Sequence, residues 1–270
     1  MITGAGRGLG RAFAEEAVRR GDKVIAGMRR ISADKFFQQE NVLAAEMDVT
    51  SPMQVESAVQ AGLKRFGRID VLVNNAGFGM SGAFEEVTDA ELRQLMEADY
   101  FGVANVSRAV IPIMRQQKTG KILNVSSQGG LMGFTGSSAY CSAKFAVVGL
   151  SLTLRAELAP FGIEVSVVCP GSLRTDFRDA SSMQFPQASM AAYQDFAVRS
   201  VKDFLVQNNH KQEGDPAKAA AFVYEMTERG NLPQRLLIGA KCCEQVKADL
   251  EAQLAEIESY RELASQTDFQ

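Results

Sequence analysis

Histidine is almost absent from this 270-residue sequence, in which His210 stands alone. The four cysteines form no C-x-x-C pair, so a structural zinc site or a disulfide scaffold is not expected. They are Cys141, Cys169, Cys242 and Cys243. A histidine-dependent nucleophile would rest on His210 alone, which lies in a polar stretch. We therefore expect no metal site, and the cysteine usage is typical of a cytoplasmic protein in a reducing compartment.

A strong excess of one charge and a long apolar run are also lacking. The formal net charge is −3, which predicts no basic surface for nucleic acid or an anionic membrane. The longest apolar runs, such as Val71–Val73 and Val165–Cys169, have the length of strands and fall far short of a membrane span. No signal-peptide pattern precedes the first motif. The 46% apolar composition is enough to bury one large core.

Short β-branched runs alternate along the chain with longer amphipathic stretches. The predicted strands are Lys23–Met28, Val42–Glu46, Ile69–Asn74, Lys121–Ser126, Ile163–Val168 and Arg235–Ile238. The predicted helices are Gly10–Arg20, Pro52–Phe66, Asp89–Gln117, Ser138–Ala159, Asp215–Arg229 and Cys242–Leu263. The strands lack polar alternation, as expected for a parallel sheet with helices on both faces. This order predicts one α/β domain with a doubly wound Rossmann fold.

That single domain is predicted to span residues 1–270. Residues 1–125 would form a cofactor half, residues 126–240 a catalytic and substrate half, and residues 242–263 a surface helix packed on the rim. Only Met1 and Ile2 precede a glycine-rich turn, where a strand of about five residues is usual. The first strand is therefore predicted to be truncated, either because the true start lies upstream or because the chain is clipped.

A glycine-rich turn opens the sequence and is the first candidate site. It reads Thr3-Gly4-Ala5-Gly6-Arg7-Gly8-Leu9-Gly10. The turn does not fit G-x-G-x-x-G, but it fits T-G-x-x-x-G-x-G through Gly4, Gly8 and Gly10. Glycines allow a tight turn and let the backbone approach a pyrophosphate. A helix beginning near Gly8 would also offer unpaired N–H groups to that anion, so the turn suggests a dinucleotide site.

The end of the second predicted strand indicates which dinucleotide would bind. An NAD-preferring fold usually has an acidic residue there to bind the ribose 2′-hydroxyl, and no acid lies between Val24 and Ala33. Arg29 would suit the 2′-phosphate of NADP(H), and Arg7 in the turn is a second candidate cation. Both arginines could instead be solvated surface charges. We expect NADP(H), with NAD(H) as the weaker alternative.

A tyrosine and a lysine four residues apart open another predicted helix. This spacing places Tyr140 and Lys144 on one face, about one turn apart. A phenol is a poor acid–base catalyst near neutral pH unless a cation stabilises its phenolate, and Lys144 can be that cation. Tyr140 could then donate a proton to the alkoxide that forms during hydride transfer. Ser127, thirteen residues upstream at a strand end, could hold the substrate oxygen.

With these motifs in place, the chain resembles the classical short-chain dehydrogenase/reductase family over nearly its whole length. The resemblance is carried by Thr3–Gly10, Met47–Thr50, Asn74–Gly77, Ser127, Tyr140, Lys144 and Pro170–Thr175. Gly214–Pro216 and Pro233–Gly239 resemble the branch described as 17β-hydroxysteroid dehydrogenase-like. The resemblance implies an NADP(H)-dependent oxidoreductase that interconverts a carbonyl and an alcohol, with Tyr140 as the proton donor.

The resemblance also implies cofactor contacts at positions matching the family's motifs. The phosphate-binding positions would be Thr3, Gly4, Arg7, Gly8, Leu9 and Gly10. The positions at the adenine and its ribose would be Asp48, Val49, Asn75, Ala76 and Gly77. The positions around the nicotinamide would be Pro170, Gly171, Leu173 and Thr175, together with Tyr140 and Lys144. Ser127, Tyr140 and Lys144 would also be catalytic.

One catalytic position departs from the family's pattern. The family has an asparagine just before an aromatic–glycine pair, whereas this sequence reads Ala98-Asp99-Tyr100-Phe101-Gly102. An ionised Asp99 accepts hydrogen bonds but cannot donate them. In the family this residue helps hold a water that relays protons to the lysine. A carboxylate could do half of that task and would favour the charged form of Lys144. The alternative is a weakly active or inactive protein.

The family's substrate wall corresponds to Phe78–Phe84, Gln128–Gly136 and Ser172–Asn208. These segments carry Phe78, Met80, Met132, Phe134, Phe177, Met183, Phe185 and Phe196. Such side chains suit a mid-sized apolar ketone, aldehyde or alcohol, although some of them would be ordinary core. No cationic cluster for an acyl-carrier or phosphate-bearing substrate is evident, but Arg174 and Arg178 leave that class open.

Two other functions and one assembly follow from the same residues. A cofactor-binding protein without turnover is the main alternative, and intact Ser127, Tyr140 and Lys144 argue against it. A dehydratase or epimerase on this fold would need a longer substrate region than the one after Thr175. The predicted helices Asp89–Gln117 and Ser138–Ala159 resemble those through which family members pair, so a homodimer or homotetramer is expected.

Overall fold

The computed structural model of this chain describes residues 1–193 and 197–269. Its strands are β1 (Ile2–Thr3), β2 (Val24–Met28), β3 (Val42–Glu46), β4 (Val71–Asn74), β5 (Gly79–Met80), β6 (Gly120–Val125), β7 (Ile163–Pro170), β8 (Met183–Gln184) and β9 (Arg235–Ile238). Seven of these form one parallel sheet in the order β3-β2-β1-β4-β6-β7-β9, while β5 and β8 form a separate parallel pair. The doubly wound fold predicted from the sequence is confirmed.

The helices lie on both faces of the large sheet. They are α1 (Gly8–Arg19), α2 (Pro52–Phe66), α3 (Asp89–Met96), α4 (Gly102–Gln117), α5 (Ser138–Leu158), α6 (Ala197–Gln207), α7 (Pro216–Glu228) and α8 (Ala240–Ser265). Successive strand residues point to opposite faces, so each strand contributes to two cores. Val73 and Leu123 pack with α1 and α7, whereas their neighbours Leu72 and Ile122 pack with α2 and α4. Burial on both faces explains the continuous apolar runs.

The first strand is short but central. Ile2 is paired with Ala26 of β2 on one side and with Val73 of β4 on the other. The backbone N–H of Val73 also donates to the carbonyl of Met1 at 2.8 Å. The truncated first strand predicted from the sequence is therefore present as two residues. Its position in the middle of the sheet brings the glycine-rich turn to the carboxyl ends of its neighbours.

The single helix predicted over Asp89–Gln117 is wrong in one respect. A π-helical turn, Glu97–Phe101, separates α3 from α4. The π-helical turn adds one residue between α3 and α4, and each of these helices keeps its own apolar pattern. The 3.6-residue periodicity therefore does not reveal the π-helical turn. This turn carries Asp99 inward, where the side chain is fully buried.

The last helix packs on the sheet rim only at its start. Cys242 and Val246 are buried, whereas Leu254, Ile257 and Leu263 are between 48% and 68% exposed. The helix therefore packs on the rim through its first two turns, and the remaining turns extend beyond it. Over residues 1–193 and 197–269, no helix has both the length and the apolar character needed to cross a membrane.

Candidate active site

The glycine-rich turn connects the end of β1 to the start of α1. Gly4 and Gly8 have φ angles of +64° and +56°, in the left-handed region that favours glycine. A methyl group at Gly10 would lie 2.3 Å from the carbonyl oxygen of Gly4, so that position also excludes a side chain. Arg7 precedes α1 and makes no side-chain capping bond, while Leu9 lies in the first turn. The turn is thus a backbone cradle facing the uncapped N–H groups of α1, as an anion site requires.

The residues that follow β4 are hydrogen-bonded to this turn. The hydroxyl of Thr3 accepts the backbone N–H groups of Asn75 and Ala76, both at 2.9 Å. The Asn75 side-chain amide donates to the carbonyl of Thr3 at 3.0 Å. A methyl group at Gly4 would contact Ala76 Cα at 3.0 Å. The residues expected at the adenosine ribose therefore lie directly beside the glycine-rich turn.

The two arginines expected at a 2′-phosphate have different surroundings. Arg29 follows β2, is exposed, and forms no ion pair among the residues that the structure describes. The turn lies close to it, because Ala5 donates to the carbonyl of Gly27 at 3.0 Å. The Arg7 guanidinium instead donates to the Ser181 carbonyl at 2.9 Å and to the Ser182 hydroxyl at 2.6 Å. No sequence pattern predicts this contact between Arg7 and the loop that carries Ser181 and Ser182.

The expected adenine and nicotinamide positions occupy neighbouring strand ends. Asp48 follows β3 and accepts from the backbone and hydroxyl of Thr50, at 2.9 and 2.7 Å. Val49 is buried, and its carbonyl accepts from the Asn105 amide at 3.0 Å. These contacts fix the loop after β3 against α4, on the same edge of the sheet as the turn.

The loop after β7 approaches that turn from the other side. Pro170 ends β7, and Gly171 donates to the carbonyl of Ile238 at 3.0 Å. Leu173 forms an isolated parallel bridge with Gly214. A methyl group at Gly8 would touch the Thr175 side chain at 3.6 Å, so Thr175 lies against the turn. Ligands of doubly wound sheets bind at such carboxyl edges.

Four candidate catalytic residues converge from three elements. Ser127 follows β6, Tyr140 and Lys144 lie in the first turns of α5, and Asp99 lies in the π-helical turn. The Lys144 ammonium nitrogen is 3.0 Å from Asp99 Oδ2 and 5.6 Å from the centroid of the Tyr140 ring. A methyl group at Gly129 would contact both Tyr140 Cε1 and the Ser127 hydroxyl oxygen, at 3.5 and 3.6 Å, so these two side chains are neighbours. The predicted set is thus assembled in one cluster.

The Asp99–Lys144 pair is buried almost completely. The two side chains are 0% and 6% exposed. Burial would lower the pKa of Lys144, but Asp99 and Tyr140 oppose it, and the net direction is a raised pKa. Burial raises the pKa of Asp99, and Lys144 offsets this only in part. These directions favour the charged form of Lys144 and oppose that of Asp99, whose neighbouring cation is the Lys144 ammonium at 3.0 Å.

The remaining neighbours of Asp99 fix the orientation of its carboxylate. Asp99 Oδ1 accepts the backbone N–H of Phe78 at 3.0 Å. A methyl group at Gly77 would lie 2.9 Å from Asp99 Oδ2, so only glycine leaves this space open. Lys144 reaches Oδ2 at ion-pair distance without the alignment of a hydrogen bond. The sequence named Asp99 and Gly77 separately but not their contact.

Tyr140 stands between the charged pair and the apolar substrate segments. Burial raises its pKa, which Lys144 and the Ser127 side chain counteract only in part. The phenol therefore stays protonated in this state. Its ring centroid is 6.0 Å from that of Phe177. Met80 and Met183, which the sequence places on the wall, are buried core residues at 2% and 9% exposure. Phe196 lies outside the described residues.

Arg174 and Arg178, which left a phosphate-bearing substrate open, both have partners in the fold. Arg174 donates to the Gln212 carbonyl, and Arg178 donates to Asn208 and Ser172, so both arginines are engaged with the fold. Arg199 and Lys202, in contrast, project from α6 into a pocket beside Ser81. They are three residues apart on α6, a helix that is absent from the predicted elements although its sequence is amphipathic.

Three potential metal ligands also meet near the loop after β7. Ligand atoms of Asp176, Asp179 and His210 lie within 4.8 Å of one another. Asp179 Oδ1 accepts from the Asn209 amide at 2.5 Å and is 3.0 Å from His210 Nε2. The Asp179 carboxylate is therefore already engaged with Asn209 and His210.

Comparison with known proteins decides the family. The family model described as short chain dehydrogenase matches residues 1–184. The chain belongs to the short-chain dehydrogenase family. This short-chain dehydrogenase is 42% identical to oxidoreductase BOA17 of Botryotinia fuckeliana over 268 residues, covering 98% of this chain and 97% of the relative. It therefore shares its length and its family with a protein named as an oxidoreductase.

Solved structures extend the comparison to the whole fold. A short-chain dehydrogenase from Streptomyces avermitilis is 40% identical, with a TM-score of 0.91, and the match covers 99% of this chain and 98% of that one. ElxO, solved with NADP bound, is 27% identical with a TM-score of 0.70, covering 87% and 94%. A family member from Burkholderia phymatum, solved with NAD, is 26% identical with a TM-score of 0.77, covering 93% of each chain. Both nicotinamide dinucleotides therefore occur among its structural neighbours.

Proposed function

We propose that this short-chain dehydrogenase is an NADP(H)-dependent oxidoreductase that interconverts a ketone or aldehyde with an alcohol on a mid-sized, largely apolar substrate. The observation that carries the proposal is the cluster of Ser127, Tyr140 and Lys144 with the buried Asp99. This cluster lies at the carboxyl edge of the sheet, on the edge that holds the glycine-rich turn. The non-catalytic alternative has no observation in its favour beyond the aspartate at position 99.

The residues present fit a nicotinamide dinucleotide. The open backbone at Gly4, Gly8 and Gly10 leaves room for a pyrophosphate against the uncapped start of α1. Arg29 supports a 2′-phosphate because it is exposed and unpaired among residues 1–193 and 197–269. NAD(H) is the weaker alternative, since a structural neighbour holds NAD. When bound, the reduced nicotinamide would supply the hydride.

The protein's own contribution is the proton and its control. Tyr140 would donate its phenolic proton to the oxygen of the substrate as negative charge develops there. Ser127 would hold that oxygen by a hydrogen bond, because its hydroxyl lies next to the phenol on the other side of Gly129. Lys144 would then stabilise the phenolate that remains, because its ammonium lies 5.6 Å from the ring centroid. In the opposite direction the same groups would accept the proton.

Asp99 would hold Lys144 in the charged form. The carboxylate is 3.0 Å from the ammonium and both are buried, so the pair has little solvent screening. An ionised carboxylate cannot donate a hydrogen bond to a relay water. Asp99 could therefore hold such a water near Lys144 only by accepting a hydrogen bond from it. We infer an adapted relay rather than an inactive site because the other three catalytic residues are intact.

Turnover of NADPH against a panel of apolar ketones and aldehydes tests the proposal. Tyr140→Phe should lower kcat by roughly a thousandfold while NADPH binding stays nearly unchanged, because the ring still packs and only the proton is lost. Tyr224→Phe, a tyrosine on α7 remote from the cluster, is the matched control and should retain activity. A fully active Tyr140→Phe protein would refute the assigned mechanism.

Location and assembly complete the proposal. All four cysteines are free, with Cys243 exposed, which supports a reducing, cytoplasmic environment. Two exposed aromatic side chains lie at these helices: Phe101 just before α4 and Phe145 on α5. We propose a homodimer or homotetramer that covers these side chains.

A further inference from the structure

The guanidinium of Arg7 joins the glycine-rich turn to Ser181, which lies 174 residues further along the chain. It donates to the Ser181 carbonyl at 2.9 Å, to the Ser182 hydroxyl at 2.6 Å and also to the Ser181 hydroxyl. Arg7 is exposed, whereas Ser182 is 6% exposed, so the end of the arginine reaches a contact that is partly buried. Three hydrogen bonds of one guanidinium are therefore directed at this distant segment.

The segment that Arg7 reaches is a loop whose two ends both contact the turn. At the first end, the Thr175 side chain would touch a methyl group at Gly8 at 3.6 Å. At the far end, the Ser182 hydroxyl accepts from Arg7. Residues 175–182, called here the 175–182 loop, therefore leave one position of the turn and return to the position beside it. Arg7 holds the far end of this loop against the turn.

The same loop carries an aromatic side chain to the catalytic cluster. The centroid of the Phe177 ring is 6.0 Å from that of Tyr140. The backbone N–H of Phe177 donates to the Thr175 hydroxyl at 3.3 Å, which ties this residue to the first end of the loop. At the far end, Gly79 donates to the Ser182 carbonyl at 2.8 Å, where the chain enters the small sheet of β5 and β8. The loop therefore extends from the glycine-rich turn to the substrate side of Tyr140.

The contacts of Arg7 distinguish it from Arg29, the other cation expected at a 2′-phosphate. Arg29 is exposed and forms no ion pair among residues 1–193 and 197–269, so its guanidinium can turn toward a phosphate. The Nη2 atom of Arg7 already donates to two acceptors, on Ser181 and Ser182. Each pair of parallel N–H groups that could bind a phosphate bidentately includes this atom. Arg7 therefore cannot bind a phosphate in that way while it holds the loop.

We propose that Arg7 is a positioning residue that holds the 175–182 loop against the glycine-rich turn, and that it is not the ligand of the 2′-phosphate. Through this loop Arg7 would fix Phe177 beside Tyr140 and so order the wall that receives the carbonyl substrate. Discrimination between NADPH and NADH would remain with Arg29. The inference rests on the proposed dinucleotide-dependent reduction, and it assigns to a residue of the cofactor turn a role on the substrate side.

Cofactor affinity measured without turnover separates the two roles open to Arg7. In a fluorescence titration, Arg7→Met should keep the ratio of NADPH to NADH affinity of the unmodified protein, because its guanidinium would not bind the 2′-phosphate. Arg19→Met is the matched control, since Arg19 also lies on α1 and donates two hydrogen bonds, to Glu16, in the last turn of that helix. This control should leave both affinities unchanged. A loss in Arg7→Met of about tenfold or more for NADPH alone would overturn the inference.

Hydrogen exchange of the protein, alone and with NADPH, tests the loop directly and needs no substrate. The amides of Ser182 and Met183 donate to the Asp179 carbonyl at 2.8 and 2.7 Å. In Arg7→Met these amides should exchange about fivefold faster or more, because the far end of the loop loses its contact with the turn. Arg7→Lys should be intermediate, since an ammonium keeps the charge but not the fork of donors. Unchanged exchange in both variants would refute the role of Arg7 in the loop.

A double-mutant cycle shows whether Arg7 acts through the loop serines. At saturating NADPH, Arg7→Met should raise the KM for a reducible ketone by about tenfold with a smaller change in kcat, as expected when a charged hydrogen bond is lost. The combined Ser181→Ala and Ser182→Ala variant should show a similar rise, and adding Arg7→Met to it should raise KM little further. Additive effects would contradict an action through the loop. If the unmodified protein reduced no ketone, the proposed reduction would fail instead, and the exchange rates would still decide the role of Arg7.

Discussion

Replacing Asp99 by asparagine isolates the charge that distinguishes this site from the family pattern. The amide has nearly the same shape, and its oxygen can still accept the Phe78 N–H that Asp99 Oδ1 now accepts at 3.0 Å. What disappears is the negative charge 3.0 Å from the Lys144 ammonium. Both side chains are buried, so water cannot replace that charge. The substitution therefore leaves a buried ammonium without its counter-ion.

The size of the effect follows from the distance and the burial. Two unit charges 3.0 Å apart attract each other by about 5 kcal/mol at an effective dielectric constant near 20. Desolvation of both groups cancels much of this attraction in the intact pair. Removal of one partner leaves the other uncompensated, at a cost of about 3 kcal/mol. The ammonium can avoid that cost by losing its proton, so the pKa of Lys144 should fall in the variant.

The assay is the pH dependence of kcat for NADPH oxidation across neutral and alkaline pH. In the unmodified protein the pKa of Lys144 is raised, so the lysine stays charged as pH rises into the alkaline range. In Asp99→Asn the lysine should lose its proton at lower pH, and the alkaline limb should move in that direction. The kcat near pH 7 should be unchanged or lower. Glu16→Gln on α1, which removes a nearly buried carboxylate remote from the cluster, should leave the profile in place.

A different result would refute this reasoning. If asparagine raised kcat by about tenfold, equivalent to about 1.4 kcal/mol of barrier, the two-way hydrogen bonding of the amide would be what the site lacks. An alkaline limb that did not move would show that Asp99 does not control the proton on Lys144. Either outcome would favour an impaired site over an adapted relay.

The remaining predictions address the lysine, the cofactor and the assembly. Lys144→Met should weaken both turnover and NADPH binding, since one ammonium is assigned to the phenol and to the nicotinamide ribose; full NADPH affinity in a fluorescence titration would contradict the second assignment. Arg29→Asp should weaken NADPH by about 10- to 100-fold and shift preference toward NADH, and equal affinities in the unmodified protein would remove the basis for NADP(H). Light scattering at micromolar concentration should show a dimer or tetramer, and a monomer of 29.3 kDa would count against the proposed pairing.

The strands and most helices could be predicted because their signals are local. The apolar run Val71–Val73 and the start of α2 at Pro52 are both found where the sequence places them. A buried parallel strand needs apolar residues on both faces, so its composition alone identifies it. The π-helical turn at Glu97–Phe101 could not be predicted in this way, because its extra residue is accommodated by packing of α3 and α4 rather than by a change in composition.

The candidate site also contains residues that local patterns predict and contacts that they do not predict. Tyr140 and Lys144 are four residues apart, and their shared face follows from helix geometry. Ser127 and the glycine-rich turn follow strands whose carboxyl ends must meet at one edge of a parallel sheet. The contact of Arg7 with Ser181 and Ser182 joins positions more than 170 residues apart and has no periodic signal. The cations of α6 were missed for a different reason, because that helix is not among the predicted elements.

Asp99 and Lys144 depend on each other, which explains why the departure at position 99 is compatible with an intact site. A carboxylate with no exposure remains ionised only if a cation stabilises it, and burial raises the pKa of Asp99 even with Lys144 present. The lysine in turn keeps its proton because burial is opposed by Asp99 and Tyr140. A protein that had merely lost its asparagine would be expected to lose this balance as well. The close approach of Gly77 and the donation from Phe78 instead place the carboxylate where it can face Lys144. The fold therefore supports a charged pair at this position, and catalysis would proceed with a lysine whose charge the protein itself maintains.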